Sequence, residues 1–228
     1  MFDCFASLLF GCCKEVNFAT MYFVRNPIIL RWFYPSLIWR IPSKEKSVYL
    51  TFDDGPTPGI TEFVLDELKK HEAKATFFCI GENVLKHPEL FQRIKDEGHT
   101  VGNHTMNHLN GWKTSAALYV QDVKLADDLI SSRLFRPPYG KIRPLQIKML
   151  KAKFKIVMWD VLSGDFDEKV SIEKCLEYVL KNMRSGSIVV MHDSMKAGER
   201  LKSYLPELLG FLSSEVYLMK KIETDAID

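Results

Sequence analysis

Thr51-Phe52-Asp53-Asp54-Gly55-Pro56 reads as the end of a buried strand followed by a turn. The residues from Val48 to Phe52 are apolar and β-rich, and Gly55-Pro56 stops them. Such a strand carries two adjacent carboxylates to one end of a sheet. Neighbours on a strand face opposite ways, but the forced turn lets both project into the same rim. About fifty residues on, His104-Thr105-Met106-Asn107-His108 places two imidazoles four apart. Three nitrogen and carboxylate ligands leave a coordination position open for water, as catalytic zinc-type sites do. The second carboxylate is then free to act as a base beside that water. An ordinary Asp-Asp-Gly-Pro turn is the competing reading of the first motif, and polar loop histidines that of the second.

Outward from this strand the pattern alternates. Short β-rich runs recur near 48–53, 74–80, 98–103, 134–136, 154–160, 186–191 and 215–219, with helical patterns between them. Thr57 and Pro58 suit the start of the first helix, along which Ile60, Val64 and Leu68 repeat. Thr114 or Ser115 suits the start of another, and Ser171 of a third. Repeated strand–helix units predict a parallel sheet or barrel. Seven strands predict a barrel of roughly TIM type, complete or open. Asp53 and Asp54, His104, Arg136, Asp160 and Asp165, and His192 follow successive strands. They therefore gather at the C-terminal rim, where barrels of this kind place their chemistry.

Each further polar residue has a chemical reading. The i,i+4 spacing puts His104 and His108 on one face of a helical turn, with Asn103 as its cap. Arg136-Pro137-Pro138-Tyr139-Gly140 offers its first free N–H at Tyr139, because neither proline has one. A rigid N–H beside a metal suits an oxyanion. Arg136 keeps a nearby carboxylate ionised. His192, at the end of Ile188-Val189-Val190-Met191-His192, suits a general acid oriented by Asp165. The bland alternatives are a strand-ending turn and a structural histidine.

The bulk composition narrows the class. The chain has 228 residues, 46% of them hydrophobic, enough for one α/β domain with a full core. A formal net charge of +2 is too mild to argue for nucleic acid. The five cysteines (Cys4, Cys12, Cys13, Cys79, Cys175) show no C-x-x-C spacing, which excludes a disulfide framework or cysteine zinc site as the organising feature.

Residues 1–46 form an extension ahead of the domain at 47–222, and residues 223–228 a short tail. Phe5 to Cys13 is apolar but short, and no Lys or Arg precedes it, so it fits a secretory signal poorly. No run approaches a membrane span. The compartment stays open, with a cytoplasmic or membrane-peripheral location favoured. Residues 18–41 are dense in aromatics, with Arg25, Arg31 and Arg40 among them and Pro27, Pro35 and Pro42 breaking them up. Packing across the outside of the domain is the expected role. Peripheral contact with a membrane surface is the alternative.

Taken together, these residues resemble the polysaccharide deacetylase family, also called the NodB-homology domain or carbohydrate esterase family 4. The resemblance covers about residues 47–222 and implies a distorted (β/α)7 barrel of TIM type. Its five motifs match as Thr51-Phe52-Asp53-Asp54-Gly55-Pro56, His104-Thr105-Met106-Asn107-His108, Arg136-Pro137-Pro138-Tyr139-Gly140, Trp159-Asp160-Val161-Leu162-Ser163-Gly164-Asp165-Phe166, and Val190-Met191-His192. It implies a divalent metal, usually Zn2+ with Co2+ or other ions as alternatives, on Asp54, His104 and His108. It implies Asp53 as general base and His192 as general acid. Arg136 steadies Asp53, Asp165 tunes His192, and Tyr139 supplies an N–H to the oxyanion. Pro137, Phe166 and Val190 line the acyl pocket. The family often has Trp where Phe166 stands and Leu where Val190 stands, so an altered pocket, even one for a formyl group, is implied.

The activity implied is removal of N-linked acetyl groups from N-acetylglucosamine-containing glycans, of peptidoglycan or chitin type. The alternatives are a deacylase or deformylase of a lipid-linked amino sugar, an amide hydrolase with a non-sugar substrate, and a catalytically silent glycan-binding barrel.

Overall fold

The structure is a computed structural model that describes residues 23–224. Its centre is β1 (Ser47–Asp53), in which all seven residues are buried. A strand with no exposed face needs cover on both sides, which a parallel sheet under crossover helices provides. β1 pairs in parallel with β2 (Thr76–Cys79) on one side and β7 (Ser187–His192) on the other. Beyond β2 come β3 (Thr100–Asn103), β4 (Leu134–Phe135) and β5 (Lys155–Ile156). Beyond β7 comes β6 (Val161–Leu162), giving the order β5-β4-β3-β2-β1-β7-β6. A short β8 (Leu218–Lys220) pairs with Ser47–Tyr49 of β1. The result is a curled, open parallel sheet, a distorted barrel of TIM type.

The helices are α1 (Ile28–Phe33), α2 (Thr61–Lys70), α3 (Gly81–Lys86), α4 (Pro88–Asp96), α5 (Ala116–Ile130), α6 (Pro144–Leu150), α7 (Ile172–Asn182) and α8 (Gly198–Ser214). The larger core lies between sheet and helices and includes Leu50, Phe52, Leu65, Leu68, Phe77, Leu205 and Leu209. Burying each such side chain contributes about 1.5–3 kcal/mol. A second cluster joins Tyr119, Phe135, Ile147 and Phe154 to Leu37 and Trp39 of the N-terminal segment. Ser115 and Ser171 cap α5 and α7 by accepting the N–H of Leu118 and Lys174. Among the described residues, no helix is long and apolar enough to cross a membrane.

Two expectations are corrected. The first helix starts at Thr61, not Thr57, because residues 58–60 form a turn whose Thr57 carbonyl accepts the Ile60 and Thr61 N–H. The run 154–160 is not one strand. Its first part is β5 at one edge of the sheet, and the chain then crosses to β6 at the other edge. The sheet is therefore open here, and residues 24–41 run along the gap. The Ile38 N–H donates to Ile156 O and the Met158 N–H to Ile38 O. The Asn26 N–H donates to Asp160 O, Leu162 N–H to Val24 O, and Ile41 N–H to Gly186 O.

Asp160 sits in this seam and not at the rim. It is wholly buried and accepts Ser187 Oγ at 2.7 Å. Arg31 lies at 2.5 Å, Arg184 at 3.6 Å and Arg25 at 3.8 Å. Ser187 opens β7 while His192 closes it, so Asp160 faces the end of the sheet opposite the candidate site.

Candidate metal centre and active site

Asp54, His104 and His108 come together at the C-terminal end of the sheet, each offering one ligand atom within 4.8 Å of the others. Asp54 Oδ1 lies 3.2 Å from His108 Nε2 and 3.6 Å from His104 Nε2. Two donors bound tetrahedrally to one Zn2+ at about 2.1 Å sit about 3.4 Å apart, so the donor set fits a single divalent ion. His104 Nδ1 lies 2.8 Å from Arg136 O. A carbonyl can only accept, so Nδ1 carries the proton and Nε2 keeps its lone pair for a metal. Burial pushes His104 down to about 4, against the pull of Asp53, and a neutral imidazole is the ligating form. Burial alone would raise the Asp54 carboxyl. The His108 hydrogen bond and the charges of His192, His104 and His108 overcome this and hold it well below the usual carboxylate range.

The histidines do not lie on a helical turn. Residues 104–108 are a loop with Thr105 at φ 66° and His108 at φ 54°. Asn103 caps nothing helical. Its Oδ1 accepts the Thr105 N–H at 2.8 Å, and its Nδ2 donates to Val123 O. Asp54 is left-handed too, at φ 81°.

Asp53, the neighbouring carboxylate, is buried and accepts Arg136 Nη1 at 2.7 Å. The guanidinium has no exposed surface. It donates also to Thr51 Oγ1, Val157 O and Met158 O, and stacks over Phe78 with its Cζ 4.1 Å from the ring centroid. A buried charge so fully partnered is held rigidly in place.

His192 sits across the mouth, paired in register with Asp53. Its Nδ1 lies 2.7 Å from Asp165 Oδ1, and its backbone N–H donates to Asp165 Oδ2 at 2.9 Å. Tyr204 Oη donates to the same carboxylate at 3.0 Å. Burial would lower His192, but Asp165, by charge and hydrogen bond, followed by Asp54 and Asp53, raises it to about 9. It is protonated at neutral pH.

The Arg136-to-Gly140 loop makes one 3-10 turn over Pro138–Gly140, with Tyr139 at φ 59°. The Tyr139 ring is exposed and stands 4.6 Å from the His108 ring. Gly140 is left-handed at φ 65°, and a Cβ there would fall 2.5 Å from the Trp159 ring. Phe166 meets His192 edge-on at 5.2 Å. Val190 is buried two residues before His192, on the same face of β7, and Pro137 is buried beside Arg136.

The family model described as polysaccharide deacetylase matches residues 40–153. A peptidoglycan-N-acetylglucosamine deacetylase of Bacillus cereus is 36% identical over 192 residues, covering 78% of this chain and 87% of that protein. The chain belongs to the polysaccharide deacetylase family. A chitooligosaccharide deacetylase of Bradyrhizobium sp. (strain ANU 289) is 39% identical over 165 residues, covering 69% of this chain and 75% of the other. The crystal structure of the Bc1960 peptidoglycan N-acetylglucosamine deacetylase, solved with 4-naphthalen-1-yl-N-oxidanyl-benzamide, superposes with a TM-score of 0.79. It is 31% identical over 84% of this chain and 94% of that one. With its three-ligand cluster in place, this polysaccharide deacetylase is a metal-dependent hydrolase.

Two buried carboxylates of the deacetylase escaped the sequence reading. Asp122 on α5 accepts the N–H of Met106 and of Asn107, between the two histidines. Asp193 accepts the Gly55 N–H, next to Asp54. Burial pushes Asp193 up to about 7. The only sequence signal was that Asp193 adjoins His192; Asp122 looks like any polar helix residue.

Proposed function

We propose that this deacetylase removes the N-acetyl group from N-acetylglucosamine units of a glycan, of peptidoglycan or chitin-oligosaccharide type, using Zn2+ on Asp54, His104 and His108. One observation carries the reading. A cluster of one carboxylate and two histidines, one of them held neutral by burial, shares one mouth with a buried carboxylate locked by Arg136 and a protonated His192. The names of the relatives supply the substrate class.

Asp54, His104 and His108 would hold the ion, which when bound would supply Lewis acidity to the amide carbonyl and to water. Asp53 accepts the proton of the attacking water, and Arg136 holds its carboxylate in place. The Tyr139 N–H faces the oxyanion of the tetrahedral intermediate. His192 donates its proton to the leaving nitrogen, and Asp165 stabilises the imidazolium until then. The products are acetate and a free amine. Val190, Phe166 and Pro137 border the space for the acyl methyl. The test is acetate release from N-acetylglucosamine oligomers of several lengths, with Zn2+ or Co2+ added. Asp53→Asn should abolish turnover and leave metal bound. Turnover near wild type in that variant would remove Asp53 as base. Release by neither protein would leave a catalytically silent barrel or a non-sugar amide hydrolase.

A second reading concerns the N-terminal segment. Ile29, Trp32 and Phe33, at i, i+3 and i+4 of α1, are 54%, 79% and 70% exposed. Arg25, partly exposed, precedes them, whereas Arg31 is turned inward onto Asp160. The outward apolar helix face, with Arg25 beside it, supports peripheral contact with an anionic membrane and, with it, a lipid-linked amino sugar as substrate. Residues 18–22 of that expectation lie outside the described residues. Co-sedimentation with phosphatidylglycerol vesicles tests it. Ile29→Ser/Trp32→Ser should lose binding, and binding equal to wild type would end the reading.

A further inference from the structure

Three residues on the ligand-bearing loops have left-handed backbones: Asp54 at φ 81°, Thr105 at φ 66° and His108 at φ 54°. Side chains other than glycine rarely rest there unless their surroundings impose it. Both loops meet a buried carboxylate. Asp122 Oδ2 accepts the Met106 N–H at 2.9 Å and the Asn107 N–H at 3.1 Å, and its Oδ1 accepts Asn107 Nδ2 at 2.6 Å. Every one of these donors lies between the two ligand histidines. Asp193 Oδ1 accepts the Gly55 N–H at 3.1 Å, and its Oδ2 accepts Thr61 Oγ1 at 2.6 Å. Thr61 Oγ1 in turn accepts the Thr57 N–H, so its proton is free for Asp193. Gly55 has no room for a Cβ, which would overlap the Asp193 carboxylate. The Asp193 N–H donates to Asp53 O at 3.1 Å, tying the base's own backbone to the same residue.

We infer that Asp122 and Asp193 are positioning residues for the metal: each fixes the loop that presents one part of the ligand set. Both carboxylates are removed from water, and the hydrogen bonds they accept come from the ligand loops, from the Thr61 hydroxyl and, for Asp193, from no charged partner. Desolvating a carboxylate costs free energy that backbone N–H donors offset. Water could satisfy the same N–H groups without fixing their direction. A carboxylate satisfies them and fixes the ligands before the ion arrives, so less ordering is left to binding. Ion and loops are coupled in the way that residues holding metal ligands are.

The inference rests on the metal reading above but not on the substrate, and affinity for the ion tests it. Full-length protein is stripped with chelator, and Zn2+ and Co2+ affinities are measured by competition with a chromogenic chelator. Asp122→Ala and Asp193→Ala should each weaken binding about 10- to 100-fold. Asp122→Asn, whose amide oxygen still accepts both backbone N–H groups and whose NH2 meets the Asn107 amide oxygen once that exposed side chain turns, should stay within about threefold of wild type. The visible spectrum of the Co2+ form should change in the Ala variants and not in Asp122→Asn. Asn107→Ala removes one bond at an exposed position, so it keeps the inference testable should a buried variant not fold. It should lose affinity about three- to tenfold. Folded Ala variants that bind within about twofold of wild type would overturn the inference and leave the function reading standing. A wild type that binds no divalent ion would overturn both.

Discussion

Arg136 Nη1 stands 2.7 Å from Asp53 Oδ1, with the guanidinium wholly buried and the carboxylate nearly so. Neither charge has water to fall back on. Removing one partner strands the other, and such losses run to about 3–5 kcal/mol. Arg136→Ala should therefore unfold at markedly lower denaturant, with an unchanged m-value in urea titration. Arg136→Lys keeps the charge but not the four-way donation, and should recover only part of the loss. Wild-type stability in either variant would mean the pair is not as desolvated as its geometry says.

His192 gives a pH prediction whose sign is fixed by its partner. Its folded-state value of about 9 exceeds the usual 6.5, because Asp165 outweighs the burial that would lower it. Stability from this pair is fully present below pH 6.5 and is lost as pH rises through 9. The protonated form is also the acid form, so kcat should fall on the same alkaline limb. Asp165→Asn should move that limb about one to two pH units lower. A limb that stays in place would detach Asp165 from the proton.

Gly140 is confined both by its φ of 65° and by the Trp159 ring. Gly140→Ala should cost about 1–3 kcal/mol through strain and overpacking. Because Tyr139 is the adjoining residue, kcat should drop with little change in metal affinity. Calorimetry and metal titration on the same sample separate the two effects.

Asp160 anchors the seam against Arg25, Arg31 and Arg184. Asp160→Asn leaves the guanidiniums close to each other without their carboxylate, and should destabilise by about 3 kcal/mol or more. The folded fraction should retain wild-type kcat, since Asp160 faces the opposite end of the sheet from His192. Loss of kcat beyond the loss of fold would place Asp160 in the chemistry after all.

The site was legible wherever chemistry is concentrated in a short stretch. Asp53 and Asp54 follow a β-rich run stopped by Gly55-Pro56, and His104 and His108 repeat close together, so neither needs the fold to be noticed. The structure differs where pairing is tertiary. The run Phe154 to Asp160 carries no glycine or proline and looks like one strand. Its break comes from two sheet edges claiming its two ends. The i,i+4 histidines suggested a helix because spacing says nothing of φ. Thr105 and His108 take left-handed values that Asn103 and Asp122 impose from outside the motif. Asp122 and Asp193 were invisible because a carboxylate that accepts backbone N–H groups leaves no spacing rule behind.

The strap along the seam also constrains how the chain acquires its shape during synthesis. Asn26 Nδ2 bonds Trp159 O across 133 residues, and Arg31 reaches Asp160 across 129. At roughly 5–20 residues per second, the strap leaves the ribosome on the order of ten seconds before its partners exist. Over that interval Leu37 and Trp39 wait for the partners that complete the second core, Ile156 and Met158 among them. The part of the molecule translated early is thus among the last to dock, and a nascent chain stalled before residue 156 would offer chaperones a sticky, cationic N-terminal segment.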